Sequence, residues 1–186
     1  MFDNAYTFTG KHAYYVRYLC GLDASGYKTK TNIESGGDRL KIFETYRDVY
    51  VLAPVLGFIF NRKSGRSKSL DELKLELNGD IQIDDAVIRQ DAMKNVYSEL
   101  EFIYRLIMLL DESNGNSVGD RISRAFRDDA TEDKNNRVEE NMVMFDSYVL
   151  GGVEILYEKL TEGCTSKEDY IDRIFGFVEE FQKDID

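Results

Sequence analysis

Residues able to do chemistry are few in this chain. It has one histidine, His12, and two cysteines, Cys20 and Cys164, in 186 residues. A single histidine excludes any arrangement that needs two, and so few Cys and His residues supply no zinc set. His12 and Cys20 stand eight residues apart, about two turns along one helix, too far for direct contact. His12 is therefore expected as a partly exposed helix residue. The adjacent carboxylates Asp84-Asp85 and Asp128-Asp129 point different ways on a helix and are expected at helix starts or in solvent. No phosphate loop, G-x-S-x-G elbow or dinucleotide fingerprint occurs, and the run Ser64–Ser69 lacks the Walker spacing. The expectation is a protein with no catalytic residues, no metal and no cofactor.

Two basic features remain. Arg62, Lys63, Arg66 and Lys68 fall within seven residues on a Ser/Gly-rich stretch, with Lys28 and Lys30 on an earlier one. Loops on a rigid scaffold concentrate binding residues, and these cations with the backbone N–H groups of 64–67 could surround a phosphate. The competing reading is that they complement a helix C-terminus and form surface ion pairs. Arg121, Arg124 and Arg127 recur every third residue beside Asp120, Asp128 and Asp129, a pattern that predicts internal salt bridging.

The formal net charge is −11, and it is unevenly placed. Residues 1–68 hold 11 Lys and Arg against 6 Asp and Glu, whereas 69–186 hold 13 against 29. Such asymmetry points to two faces with different partners, or to helix exteriors that are simply solvated by acid groups. With 42% hydrophobic and 12% aromatic residues, general disorder is excluded. The opening residues MFDNAYTFTG have neither a basic n-region nor an apolar h-region, so no secretory signal is expected. Reduced cysteines and a cytoplasmic location follow as expectations.

The elements that must position these residues are organised around Val49–Phe60, twelve residues without a polar side chain except the Tyr50 hydroxyl. A membrane span needs about 20 apolar residues, so this is a core element. Thr45 and Asp48 form a capping-box-like start, and a helix is expected, although Val49, Val51, Val55 and Ile59 favour strand and Pro54 frees the Tyr50 carbonyl. Residues 1–8 read as irregular. A helix over Gly10–Cys20, capped by Thr9, places Ala13, Val16, Leu19 and Cys20 together. A short helix over 70–77, where Leu73, Leu75 and Leu77 also alternate as in a strand, and a turn at Asn78-Gly79 follow. From Asp84 to Asp111 a seam of Met93, Val96, Leu100, Ile103, Ile107 and Leu110, with Phe102, Leu106 and Leu109 beside it, predicts an interior helix.

Ser117 is expected to cap a short helix to Arg127. A long helix over Arg137–Leu160 carries the seam Val138, Met142, Phe145, Val149, Gly152 and Leu156. Its Gly151 and Gly152 cost about 1 kcal/mol each against Ala, so another helix must approach closely there. Thr165 and Glu168 open a last helix with the seam Ile171, Ile174, Val178, Phe181 and Ile185. The fold expected is all-α: a single-domain helical bundle of six to seven helices, with a basic third (1–68) and an acidic part (69–186).

The run Ile42–Lys63 resembles the DNA phosphorothioation-associated protein 4 family in Phe43, Thr45-Tyr46, Asp48-Val49, Ala53, Leu56-Gly57-Phe58 and Arg62-Lys63, and departs from its pattern at Pro54. The resemblance covers about 20 residues, and the acidic C-terminal part has no counterpart in it. It implies a small bacterial accessory protein associated with DNA modification and antiphage defence, and it brings no catalytic motif. Two functions are expected from this and the charge pattern. One is a protein that docks to a partner protein and contacts nucleic acid through its basic loop. The other is an acidic inhibitor or DNA mimic that fills a basic groove on a nuclease-type target. No membrane partner is expected.

Overall fold

A computed structural model describes residues 2–22, 40–66, 84–113, 115–126 and 133–183. Among these, seven helices and one two-stranded sheet form a predominantly helical fold, as the apolar periodicities require. The strands are β1 (Tyr6–Phe8) and β2 (Ala86–Ile88), antiparallel with Tyr6 opposite Ile88 and Phe8 opposite Ala86. The helices are α1 (Gly10–Leu19), α2 (Tyr46–Ile59), α3 (Gln90–Lys94), α4 (Tyr97–Leu110), α5 (Val118–Phe126), α6 (Asp133–Thr161) and α7 (Lys167–Lys183). The expected helix over 70–77 lies outside the described residues.

The Val49–Phe60 stretch is helical, and its two ends show why. Thr45 accepts from the Asp48 N–H while Asp48 accepts from the Thr45 N–H, a complete capping box. At the other end Asn61 takes a positive φ of 48°. The Arg62 N–H returns to the Gly57 carbonyl at 2.8 Å and the Asn61 N–H to Phe58 at 3.0 Å. This is a Schellman closure with Asn in the left-handed position usually taken by Gly. Pro54 is accommodated inside the helix.

Helix α6 runs through the centre: all nine residues from Tyr148 to Leu156 are buried. Its closest neighbour is α2, and small residues permit the approach. A Cβ at Gly152 would lie 1.8 Å from the Ala53 carbonyl oxygen, and one at Gly57 would lie 2.1 Å from that of Tyr148. The expected close contact at Gly152 is thus present. Phe145, Val149, Val153 and Leu156 of α6 share one core with Val49, Ala53 and Leu56 of α2 and with Ala13, Val16 and Leu19 of α1.

Several expected elements differ. The N-terminal residues are not all irregular, because Tyr6–Phe8 and Ala86–Ile88, both rich in strand-forming residues, complete each other's hydrogen bonds. The helix expected from Asp84 is therefore divided into β2, α3 and α4. Thr9 makes no side-chain cap. On α4 the buried stripe is Leu100, Tyr104, Ile107 and Met108, while Phe102 and Leu106 face solvent at 66% and 42% exposure. Helix α7 buries Tyr170 and packs Ile174, Phe177 and Phe181 on the core, whereas Ile171 and Val178 are exposed. Its cap is Ser166 with Asp169, joined by Thr165, in place of Thr165 with Glu168.

Candidate functional site

The chemistry-bearing residues converge where the chain leaves α2 and runs extended along α6. Gly151 makes this possible, since a Cβ there would lie 2.0 Å from the Arg62 carbonyl oxygen. The Ser64 N–H donates to the Ser147 carbonyl at 2.9 Å, which ties segment 62–66 to the helix.

Glu154 is the centre of this region. It is 7% exposed, and its Oε1 receives Ser64 Oγ at 2.6 Å, Lys11 Nζ at 2.8 Å and His12 Nε2 at 3.1 Å. Arg62 Nε lies 3.3 Å from Oε2, and the rest of that guanidinium grips Glu158 in a bidentate pair at 2.5 and 2.7 Å. Burial opposes ionisation of Glu154, but hydrogen bonds from His12, Lys11 and Ser64 outweigh it and bring its pKa down to about 2. His12 is fully buried, not partly exposed, because α1 turns it inward onto this carboxylate. Its Nδ1 has no hydrogen-bond partner.

Serine, histidine and carboxylate therefore meet here, but not as a relay. A nucleophile–base pair needs the imidazole between serine and acid. Ser64 and His12 instead both address the same Glu154 oxygen. The arrangement cross-links α1, segment 62–66 and α6.

The other predicted cations are held the same way. Lys63 Nζ lies 3.2 Å from Asp111 Oδ2 and 2.7 Å from Ser113 Oγ, and 4.7 Å from the Tyr148 ring centroid. Asp111 is buried; that raises its pKa, but hydrogen bonds from the Ser113 hydroxyl and N–H, with Lys63, lower it below the usual range. Arg66 Nε lies 2.9 Å from Asp146 Oδ2, its guanidinium over the Tyr6 ring, and the Tyr6 hydroxyl donates to the other Asp146 oxygen. Arg62, Lys63 and Arg66 are thus brought together along one edge of α6, each on an acidic partner. Lys28, Lys30 and Lys68 lie outside the described residues.

Of the three-spaced arginines, Arg121 pairs with Glu112 at 2.5 Å, not with Asp120; Ser117 caps α5 as expected, and Asp120 completes that cap instead of bridging an arginine. Arg124 reaches the Asn141 side-chain oxygen at 3.2 Å and the Met144 sulfur at 2.9 Å, beside an open cavity of about 450 Å³ that Arg137 and Glu140 also line. Arg127, Asp128 and Asp129 lie outside the described residues.

Both cysteines are free thiols. Burial pushes Cys20 up to about 12 and raises Cys164 as well, so neither offers a thiolate at neutral pH. Among the described residues no group of three or more His, Cys, Asp or Glu could hold a metal ion, and no helix is long and apolar enough to cross a membrane.

Glu154 is the functional group that sequence reasoning missed. Its signal was present: it is the one charged residue in the apolar run Val149–Leu156. A charge in such a setting must find partners, yet His12 lies 142 positions away, and nothing local names it. Comparison of the chain with family models, with curated proteins and with solved structures gave no match.

Proposed function

We propose that this chain is a non-enzymatic docking protein that presents the acidic flank of α6 and α7 to a basic surface on a partner protein. The observation that carries the reading is the commitment of Arg62, Lys63 and Arg66 to Glu158 and Glu154, Asp111 and Asp146. Those cations are occupied within the fold, while Glu139 and Glu140 on α6, Glu162 just after it, and Glu168, Asp172 and Glu179 on α7 are exposed. An acidic surface of this kind steers association with a basic partner and selects against nucleic acid. The resemblance of Ile42–Lys63 to the DNA phosphorothioation-associated protein 4 family supports a setting in bacterial DNA modification or antiphage defence. Occupation of a nuclease-type groove by a DNA mimic is the second reading, favoured by the same carboxylates.

Affinity capture from the native host tests this with two baits, the wild-type chain and a variant carrying Glu139→Lys, Glu140→Lys, Asp172→Lys and Glu179→Lys. The partner should be retained by the first, released by added salt, and lost from the second, whose helical circular dichroism should be unchanged. Equal retention by both baits overturns the acidic flank as the docking surface. If the captured partner is a nuclease whose activity falls in proportion to bound chain, the mimic reading holds; an unaffected nuclease excludes it.

A further inference from the structure

Helices α5 and α6 line the open cavity of about 450 Å³, α5 through Ser123 and Arg124 and α6 through Arg137, Glu140, Asn141 and Met144. Its distinguishing group is the Arg124 guanidinium. Nε donates to the Asn141 side-chain oxygen at 3.2 Å, and Asn141 is itself buried. Nη2 meets sulfur, Met144 Sδ at 2.9 Å and Met108 Sδ at 3.5 Å. Nη1 is buried and has no hydrogen-bond partner. Among the described residues no carboxylate lies within ion-pair distance of Arg124, whereas Arg62, Arg66, Arg105 and Arg121 each hold one. A thioether is a weak acceptor, and a desolvated charge without an ionised partner is costly. The fold thus keeps an under-satisfied cation beside a cavity of the size that small ligands occupy, an arrangement that fits a binding site better than a structural ion pair.

We propose that this cavity binds a small monocarboxylate that also carries an ammonium group, its carboxylate replacing the Met144 sulfur on Arg124 Nη2 and giving Nη1 its missing acceptor. A carboxylate meets a guanidinium in a planar two-point pair, through hydrogen bonds roughly twice as strong as neutral ones. Met144 is unbranched and adaptable, so its sulfur can withdraw while the helix stays in place. The remaining charges select the second group. Asp120 also lines the cavity, but it is already held by the Ser117 hydroxyl and N–H at 2.6 and 3.1 Å. Glu140 is exposed on the same cavity and offers an acceptor to an ammonium group. The same carboxylate opposes a phosphate dianion in that space, because like charges brought together are costly. The inference does not rest on the docking reading, and it is tested on the chain alone.

Titration of the full chain with L-alanine, 4-aminobutyrate and lactate, followed through the methyl resonances of Met108 and Met144, tests the assignment. Lactamide and inorganic phosphate serve as controls. An amino carboxylate should move the Met144 signal saturably, with a dissociation constant of about 1 mM or tighter, and lactamide should leave it in place. Arg124→Leu should abolish the response while the thermal midpoint stays at or above wild type, since an unpaired desolvated charge is removed. Arg124→Lys keeps the charge but loses the planar fork, and it should weaken binding by about tenfold. Glu140→Gln should weaken L-alanine and 4-aminobutyrate by about threefold or more and lactate less. No saturable shift with any carboxylate up to about 50 mM overturns the inference. So does lactamide binding as well as lactate, phosphate binding more tightly than every carboxylate, a response that survives in both Arg124 variants, or an equal loss of all three carboxylates on Glu140→Gln.

Discussion

Glu154 is held ionised inside the fold by Lys11, His12, Ser64 and Arg62 together. Removing its charge weakens the hydrogen bonds from Lys11, His12 and Ser64, while Arg62 keeps Glu158; a hydrogen bond to a charged group contributes about 1.5–3 kcal/mol. Glu154→Gln should therefore lower the unfolding free energy at neutral pH by an amount on that order. The pH dependence carries a sharper expectation. The carboxyl falls from an ordinary 4.5 to about 2 on folding, so between those values the unfolded chain binds the extra proton. Stability contributed by Glu154 is thus complete above about pH 4.5 and lost as pH falls toward 2. Denaturant titrations of wild type and Glu154→Gln should converge through that window. Two curves that run parallel from neutral pH to pH 2 would show that the carboxylate is not held ionised by the fold.

At the scale of the element, the α2–α6 contact depends on backbone meeting backbone. Gly152→Ala, the smallest possible change, sets a methyl group against the Ala53 carbonyl and forces the helices apart, so a loss of about 1–3 kcal/mol is expected. Gly176 on α7 has nothing within 4 Å of the same position, and Gly176→Ala should stabilise by up to about 1 kcal/mol through helix propensity alone. Thermal midpoints of the two variants should move in opposite directions; a Gly152→Ala midpoint at or above wild type would mean that α2 and α6 do not touch there.

This contact was legible in the sequence because paired glycines inside an apolar helix demand a reason. The caps at Thr45-x-x-Asp48 and Ser117 were legible because their signals are local. The inward face of α7 was legible only in part: Ile174 and Phe181 of the expected seam pack on the core, whereas Ile171 and Val178 do not. Ile171 and Val178 make as good a stripe as Tyr170, Ile174, Phe177 and Phe181, and only the position of the neighbouring helices chooses between them. Strands β1 and β2 were hidden for a related reason: three residues each and far apart in the chain, at Tyr6–Phe8 and Ala86–Ile88, neither is stable without the other.

For the whole molecule, the charge asymmetry of the chain takes on a different meaning once folded. A basic third and an acidic remainder suggested two faces with two partners. Lys11, Arg62, Lys63 and Arg66 instead meet Glu154, Glu158, Asp111 and Asp146, so part of the asymmetry is complementarity between segments of one chain. What remains outside is net acid, and with it comes a prediction about nucleic acid. A polyanion approaches a molecule of charge −11 against long-range repulsion, and Arg62, Lys63 and Arg66, the loop cations among the described residues, are already paired. The isolated chain should therefore fail to retard a DNA duplex even at low salt. Asp146→Asn with Glu158→Gln should release Arg66 and part of Arg62 while reducing the net charge to −9, two negative charges fewer than the −11 of the sequence. Binding gained by that variant should weaken with salt by about one unit of log–log slope per freed phosphate contact. Salt-sensitive binding by the wild-type chain, lost on Arg62→Ala and Arg66→Ala with the fold intact, would return those cations to a nucleic-acid interface and make their carboxylate partners competitors for phosphate.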